Sequence, residues 1–135
     1  MSLIEWNDNY SVNIAEIDKQ HKRLFDLINE IYDAMKQRKT QEILGKAIAQ
    51  LVNYTKTHFS YEENILDKYS YPALSNQKKE HELFVAKILD FEDGFNENRL
   101  FLSTEITNFL KDWLITHIQG ADKNYSNFLN NKGIV

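Results

Sequence analysis

Residues 17–35, IDKQHKRLFDLINEIYDAM, repeat apolar side chains at the spacing of a helix that buries one face. The apolar stripe consists of two seven-residue series, Ile17, Leu24, Ile31 and His21, Ile28, Met35. His21 therefore lies on the apolar face, and the pattern predicts that its imidazole points into the protein interior.

Three further stretches show the same periodicity, and each places one histidine on its apolar face. The series are Leu44, Leu51, His58, Ile65, then His81, Ile88, Phe95, and then Ile106, Leu110, Trp113, His117. Glu62 lies one turn after His58 on the same face, and Asp122 follows shortly after His117. All four histidines of the chain and two carboxylates are therefore predicted to converge in the interior.

The four stretches predict an all-α fold, an antiparallel four-helix bundle of up-down-up-down topology. The predicted helices span about 17–38, 41–69, 75–95 and 100–130. Thr40 can cap the second helix, the proline at Pro72 breaks the chain before the third, and short connections favour antiparallel neighbours. The 135 residues are expected to form a single domain, with residues 1–16 as an extended arm across the bundle.

The composition of the chain limits which partners it is expected to bind and which kinds of metal site it can form. A formal charge of −4 and a pI near 5.5 argue against nucleic acid as a partner. The first ten residues lack a signal-peptide core, and nowhere is there a run of roughly 18 apolar residues, so we expect a soluble, cytoplasmic protein with no membrane contact. Because the chain has no cysteine, a thiolate zinc site and a cysteine-ligated iron–sulfur cluster are excluded. Any metal must be held by nitrogen and oxygen ligands.

The set of inward polar residues points to a metal more strongly than any single member does. One histidine on an apolar face is most often a core residue with a hydrogen-bond partner. Four imidazoles and two carboxylates buried together without a cation would have a large desolvation cost. Imidazole and carboxylate ligands suit iron, manganese or zinc, and inward residues of facing helices favour two ions that share carboxylate bridges.

The spacing of His117 and Asp122 does not fit a regular helix. Residues five apart are rotated by about 140° on an ideal α-helix, which would turn Asp122 away from the core. Gly120 lies between them. A π-bulge or a local loosening at Gly120 would return Asp122 to the inward face, and such bulges are frequent at functional sites.

Four motifs, which lie between Trp6 and about Phe128, resemble those of bacterial hemerythrins. The motifs are Asp18-Lys-Gln-His21, His58-Phe-x-x-Glu62-Glu63, His81-x-x-Phe84 and Trp113-Leu-x-x-His117-Ile-x-x-x-Asp122. The resemblance implies a non-haem centre of two iron ions that binds O2 reversibly at one iron. It also implies that two carboxylates and an oxo or hydroxo group bridge the ions.

Carried over residue by residue, the resemblance gives each predicted ligand a role. His21 and His58 would hold the iron with the open O2 position. The second iron would be held by His81 and His117. Glu62 and Asp122 would bridge the two ions.

One position departs from the family pattern. The third helix of hemerythrins usually carries a histidine one turn before His81, and this chain has Gln77 there. Gln77 is then either a polar helix residue beside an altered site, a weak ligand through its amide oxygen, or an amide that holds a bound water. In each case the second iron has two histidines instead of three, and both ions would have an exchangeable position.

Three functional hypotheses follow, and the first is preferred. In the first, the chain is an oxygen-binding protein for O2 storage, delivery (oxygen transport) or sensing, with O2 or another small diatomic or peroxide molecule as its ligand. This hypothesis needs no catalytic residue, and no cofactor-binding residue beyond the metal ligands. Alternatively it is a di-iron enzyme that acts on O2, peroxide or NO, because Gln77 leaves the second iron more open. The third hypothesis is a metal-free or single-metal bundle that acts through protein contacts.

Overall fold

The computed structural model describes residues 3–96 and 102–135, and these residues form helices connected by short turns. The helices are α1 (Ala15–Lys36), α2 (Gln41–Lys68), α3 (Leu74–Asn96), α4 (Leu102–His117) and α5 (Lys123–Asn131). A π-helical segment, Ile118–Asp122, joins α4 directly to α5. The described part of the chain contains no strand, so the predicted all-α class is confirmed. The predicted start of the fourth helix, at about residue 100, lies outside the described residues.

The helices pack in the order in which they occur along the chain. α1 contacts α2, α2 contacts α3, α3 contacts α4, and α4 returns to α1. This cyclic order with consecutive neighbours is the up-down-up-down bundle that was predicted. None of the helices within the described ranges is long and apolar enough to cross a membrane.

Local backbone chemistry explains where the first two helices begin and end. α1 ends at Lys36, two residues before its predicted end, because Arg38 adopts a left-handed backbone conformation with φ of 52°. The Thr40 hydroxyl then accepts a hydrogen bond from the Ile43 N–H at 3.3 Å, so Thr40 caps α2 as expected.

The arm that precedes α1 is held along the bundle by polar and aromatic contacts. The backbone of Ile4 forms two hydrogen bonds with the Asn29 side chain, one as donor at 3.1 Å and one as acceptor at 2.8 Å. Trp6 and Tyr10 pack with their rings tilted on Phe25, at centroid distances of 5.4 and 5.2 Å. The arm is extended apart from one 3-10 turn at residues 8–10, and it closes one side of the core.

Buried polar residues divide the core into two apolar clusters. Along α1, Ile17 belongs to the smaller cluster, His21 follows, and Leu24 begins the larger cluster. Along α2 the same layers occur in reverse, with the larger cluster before His58 and the smaller one after Glu62. The bundle therefore contains one buried polar layer, and apolar residues enclose it on both sides.

Candidate metal centre

All six predicted ligands and Gln77 lie in this polar layer. Each of the seven side chains belongs to a residue that is at most 3% exposed to solvent. The set comprises His21, His58, Glu62, Gln77, His81, His117 and Asp122. The structure thus brings together every residue that the sequence predicted to converge.

The ligand atoms form two groups that share one carboxylate. Within each group these atoms lie within 4.8 Å of one another, which is close enough to hold one metal ion. The first group is His21, His58 and Glu62, and the second is Glu62, His81, His117 and Asp122. Glu62 therefore belongs to both potential metal positions.

The distances show that each carboxylate faces histidines of both groups. Oε1 of Glu62 lies 3.1 Å from Nε2 of His58 and 3.4 Å from Nε2 of His81. The two oxygens of Asp122 diverge: Oδ1 lies 3.0 Å from Nε2 of His117, and Oδ2 lies 3.2 Å from Nε2 of His21. This arrangement allows each carboxylate to contact two ions at once.

The π-helical segment brings Asp122 into the layer. Ile118–Asp122 widens the helix so that residues five apart share one face, and Asp122 is fully buried. The predicted π-bulge is confirmed, but Gly120 is not required for steric reasons. A Cβ at Gly120 would meet no atom within 4 Å, and the backbone there is not left-handed.

Hydrogen bonds behind three of the histidines fix the direction of the rings. In each case Nδ1 meets an oxygen on the preceding helix. The pairs are His58 with Gln20 Oε1 at 2.7 Å, His81 with Glu63 Oε2 at 2.8 Å, and His117 with Glu80 Oε1 at 3.0 Å. These oxygens accept a hydrogen bond from Nδ1, so the proton on Nδ1 is held in each ring and Nε2 is the nitrogen that faces the layer.

These three partners were not predicted from the sequence as functional residues. Each is the immediate neighbour of a predicted ligand: Gln20 precedes His21, Glu63 follows Glu62, and Glu80 precedes His81. That adjacency is the signal that could have found them, because the residue next to an inward ligand on one helix faces the neighbouring helix.

Tyr125 is a further site residue that was not predicted from the sequence. Its side chain is fully buried, and its hydroxyl donates a short hydrogen bond to Oε2 of Glu62. A buried tyrosine generally finds a partner for its hydroxyl, so a tyrosine at an inward position near the ligands was the available signal. Tyr125 fixes one oxygen of the shared carboxylate and leaves the other facing the histidines.

Two aromatic rings lie flat against the histidines of α3 and α4. Phe59 stacks on His81 with ring centroids 3.7 Å apart and planes 2° apart. Trp113 stacks on His117 at 4.3 Å and 15°. These rings restrict rotation of the imidazoles and keep water away from one side of the layer.

Whether the layer fits a metal can be judged from its buried polar atoms that make no hydrogen bond. Among the described residues, five deeply buried atoms make no hydrogen bond of good geometry: both ring nitrogens of His21, Oε1 of Glu62, Nε2 of His81 and Oδ2 of Asp122. Buried polar atoms without partners are costly, and all five belong to residues of the two groups that could hold an ion. The layer therefore fits a cation bound by nitrogen and oxygen.

The charges of the layer lead to the same conclusion. Burial lowers the pKa of His21, but Asp122 and Glu62 outweigh it and raise that pKa to about 10. The pKa of His117 is likewise lowered by burial but raised overall, to about 9, chiefly by Asp122. The histidines in turn hold the pKa of Glu62 well below its usual range despite burial. Without metal, two protonated imidazoles supply the positive charge that the carboxylates need.

Comparison with known proteins agrees with this geometry. Residues 12–129 match the profile of the hemerythrin HHE cation binding domain. The chain belongs to the hemerythrin family. A bacteriohemerythrin of Pseudomonas aeruginosa (strain UCBPP-PA14) is 33% identical over 125 residues, which cover 93% of this chain and 80% of that protein. A bacteriohemerythrin of Methylococcus capsulatus is 32% identical over 126 residues, which cover 93% and 95% respectively.

A solved structure of the family has the same fold. The crystal structure of a wild-type hemerythrin matches this chain with a TM-score of 0.86 at 29% sequence identity, covering 93% of this chain and 97% of that one. The resemblance to hemerythrins inferred from the four motifs is confirmed. Membership of the hemerythrin family implies that the chain binds non-haem iron.

Proposed function

We propose that the chain holds two non-haem iron ions in the polar layer and binds O2 reversibly. The observation that carries the proposal is the position of Glu62, which belongs to both groups of ligand atoms. Asp122 supports it, because its two oxygens face His117 and His21, which lie in different groups. Two carboxylates that each span both positions suit a pair of ions better than a single ion.

Each residue of the proposed centre has a defined task. The Nε2 atoms of the four histidines bind the ions, one pair at each position. Glu62 and Asp122 bridge the two positions. When bound, the iron pair supplies the redox-active, open coordination position that O2 binding needs. The aromatic rings of Phe59 and Trp113 keep bulk water from the histidines on which they stack.

The contacts of Gln77 support a specific role for this residue in the proposed centre. It is buried, and its Nε2 donates a hydrogen bond to Oδ1 of Asp122 at 2.6 Å and lies 3.4 Å from Nε2 of His117. We infer that Gln77 takes the place of the usual third histidine and orients the bridging carboxylate. The second iron is then held by His81, His117 and the two bridges.

Iron content tests the two-ion proposal. We expect about two irons per chain after aerobic purification and about one in each of His58→Ala and His117→Ala, because each removes one imidazole from a different position. Asn53→Ala, an exposed residue on the same helix as His58, serves as the control and should retain both ions. Full iron content in both histidine variants would show that the layer is not the iron site.

Absorption spectra test the O2 proposal separately. The charge-transfer bands of the iron-loaded, reduced protein should change when O2 is admitted and return to the starting spectrum under vacuum. His58→Ala should lose this cycle, because His58 belongs to the position proposed to remain open. A loaded protein whose spectrum does not respond to O2 would contradict O2 binding while leaving iron binding intact.

A further inference from the structure

The partners of the Nδ1 atoms follow a regular path around the bundle. A residue of α1 accepts from the histidine of α2, a residue of α2 accepts from that of α3, and a residue of α3 accepts from that of α4. The path does not close, since Nδ1 of His21 on α1 has no hydrogen-bond partner in the described part of the chain. The four imidazoles therefore differ in what their Nδ1 atoms contact, on the side of each ring that faces away from the centre of the layer.

This difference in Nδ1 partners divides the layer into two halves, and among the described residues only one half has carboxylates behind its histidines. We call His21 and His58 the α1–α2 half, and His81 and His117 the α3–α4 half. Both histidines of the α3–α4 half donate to carboxylates. In the α1–α2 half, Nδ1 of His58 donates to the neutral amide of Gln20, and Nδ1 of His21 has no partner among the described residues.

Further hydrogen bonds hold two of these partners in place. Nε2 of Gln20 donates to Oε1 of Glu16 at 3.1 Å, which directs the amide oxygen of Gln20 to His58. Oε2 of Glu80 accepts from Nδ2 of Asn76 at 3.0 Å, so that Oε1 is directed to His117. The difference between the halves is therefore fixed by the fold.

A carboxylate behind an imidazole strengthens that imidazole as a ligand. The negative charge stabilises the Nδ1 proton and increases the electron density at Nε2, which faces the metal. A neutral amide sets the same tautomer and ring direction but adds no charge. The two carboxylates lie on the half in which Gln77 stands near the histidines in place of an imidazole ligand.

We propose that Glu63 and Glu80 are positioning residues whose negative charge raises the metal affinity of the α3–α4 half and offsets the missing third imidazole. The inference rests on the proposed metal site. Both carboxylates are partly exposed, with side-chain exposures of 27% and 33%, so solvent screens part of their effect. Loss of either charge should therefore weaken metal binding by about tenfold, the lower end of the usual range for such partners.

Zn2+ binding to the metal-free protein tests the proposal without iron chemistry. Competition with a chelator should resolve two binding steps in the wild type, and His81→Ala identifies the step that belongs to the α3–α4 half. Glu63→Gln and Glu80→Gln should each weaken that step by about tenfold and leave the other step unchanged within about twofold. The matched control is Glu82→Gln, which removes the same charge from an exposed position on α3 and should change neither step.

Further variants distinguish an effect of the Glu80 charge from a purely structural role of Glu80 in holding α3 against α4. Glutamine retains an acceptor for the Nδ1 proton, whereas alanine at Glu80 removes both acceptor and charge. If Glu80 only holds α3 against α4, Glu80→Gln will bind Zn2+ like the wild type and Glu80→Ala will weaken both steps together. The converse variant Gln20→Glu adds a charge behind His58, and we expect it to strengthen the other step by a similar factor.

The outcomes are distinct. Selective weakening of one step by both glutamine variants is the expected result. A wild-type isotherm in Glu63→Gln and Glu80→Gln, or equal weakening in Glu82→Gln, would overturn the role of the two charges while two-metal binding stands. A wild type that binds no Zn2+ would overturn the proposed site itself, and this inference with it.

Discussion

The α1–α2 half of the layer and the α3–α4 half present the same inward atoms but are built differently. Both offer two Nε2 atoms and share Glu62. The α1–α2 half lies on regular helices, and behind its rings the described residues offer a neutral amide to His58 and no partner to Nδ1 of His21. The α3–α4 half is followed by the π-helical segment, contains Gln77, and has carboxylates behind both rings. In the proposed two-ion centre, equal inward atoms would therefore not make equal metal positions.

If two ions are bound as proposed, the difference shows how a bundle would build two unlike metal positions from few residues. The inward stripe of each helix supplies one ligand histidine, so the four helices alone would give a nearly symmetric layer. Asymmetry comes from residues one position away from the ligands, which reach the neighbouring helix and not the metal. Such residues alter the charge of one half while the packing of the core stays the same.

The largest effect is expected from the one ligand that the halves share. Glu62→Ala should lower iron content below that of any single histidine variant, because it removes a ligand from both groups and leaves the Tyr125 hydroxyl without its acceptor. Iron per chain is the measurement, with Asp67→Ala, an exposed carboxylate on the same helix, as the control. If Glu62→Ala lost only one ion, the halves would be independent and the sharing of Glu62 incidental.

Removing metal should destabilise the fold, and more so at high pH. Each site contributes about 2.7 kcal/mol when free metal is at 100 times Kd. In the metal-free protein the pKa values of His21 and His117 are raised from 6.5 to about 10 and about 9, and each half contains one of them. A raised pKa stabilises the fold below the unfolded pKa, and that contribution is lost as pH rises through the folded pKa.

Thermal unfolding measures both effects. The melting temperature of the metal-free protein should fall between pH 6.5 and about 10, whereas the loaded protein, whose histidines bind metal as neutral ligands, should change less over the same range. Equal melting temperatures for the metal-free and loaded forms near neutral pH would contradict metal binding in the buried layer.

Tyr125 acts on the shared carboxylate and so affects both halves. Tyr125→Phe removes the hydroxyl that donates to Glu62 and leaves a buried, charged oxygen with one partner fewer. We expect the metal-free protein to lose about 1–3 kcal/mol of unfolding free energy. Denaturant unfolding measures the change, and Tyr61→Phe, an exposed tyrosine on α2, should leave stability unchanged. A neutral result for Tyr125→Phe would mean that this hydrogen bond contributes nothing to holding Glu62.

Gln77→His tests the interpretation that residue 77 occupies the position of a third histidine ligand. A third imidazole one turn from His81 would close the second position to outside ligands, so loss of metal to a chelator should slow by about tenfold. Decay of the oxygenated spectrum should slow as well. The reference is the same measurement on the α1–α2 half, whose release rate should not change. Identical rates in both proteins would show either that Gln77 already binds well or that residue 77 does not reach the ion.

Periodicity predicted the bundle and the convergence of the four histidines and two carboxylates because burial of a helix face is a local property of sequence. It also predicted the π-helical segment, since His117 and Asp122 fit no regular helix. Gln20, Glu63 and Glu80 could not be assigned, because their roles depend on which helix lies beside them and at what height. The end of α1 was misplaced by two residues, because nothing in the pattern indicated the left-handed backbone at Arg38.

The smallest effect is expected at Gly120, where the two halves differ in backbone rather than in side chains. The sequence suggested that Gly120 causes the widened turn. In the structure, however, there is room for a methyl group at this position, and the backbone there is not left-handed. Gly120→Ala should therefore keep Asp122 in the layer, retain full metal content, and change stability by less than about 1 kcal/mol, with any gain due to the lower entropy of the unfolded chain. Metal content and denaturant unfolding of the variant decide the matter, with Ala121→Gly as the converse change in the same segment. If Gly120→Ala lost metal from the α3–α4 half alone, the flexibility of the glycine would be what maintains the π-helical segment, and the backbone difference between the halves would depend on that one residue.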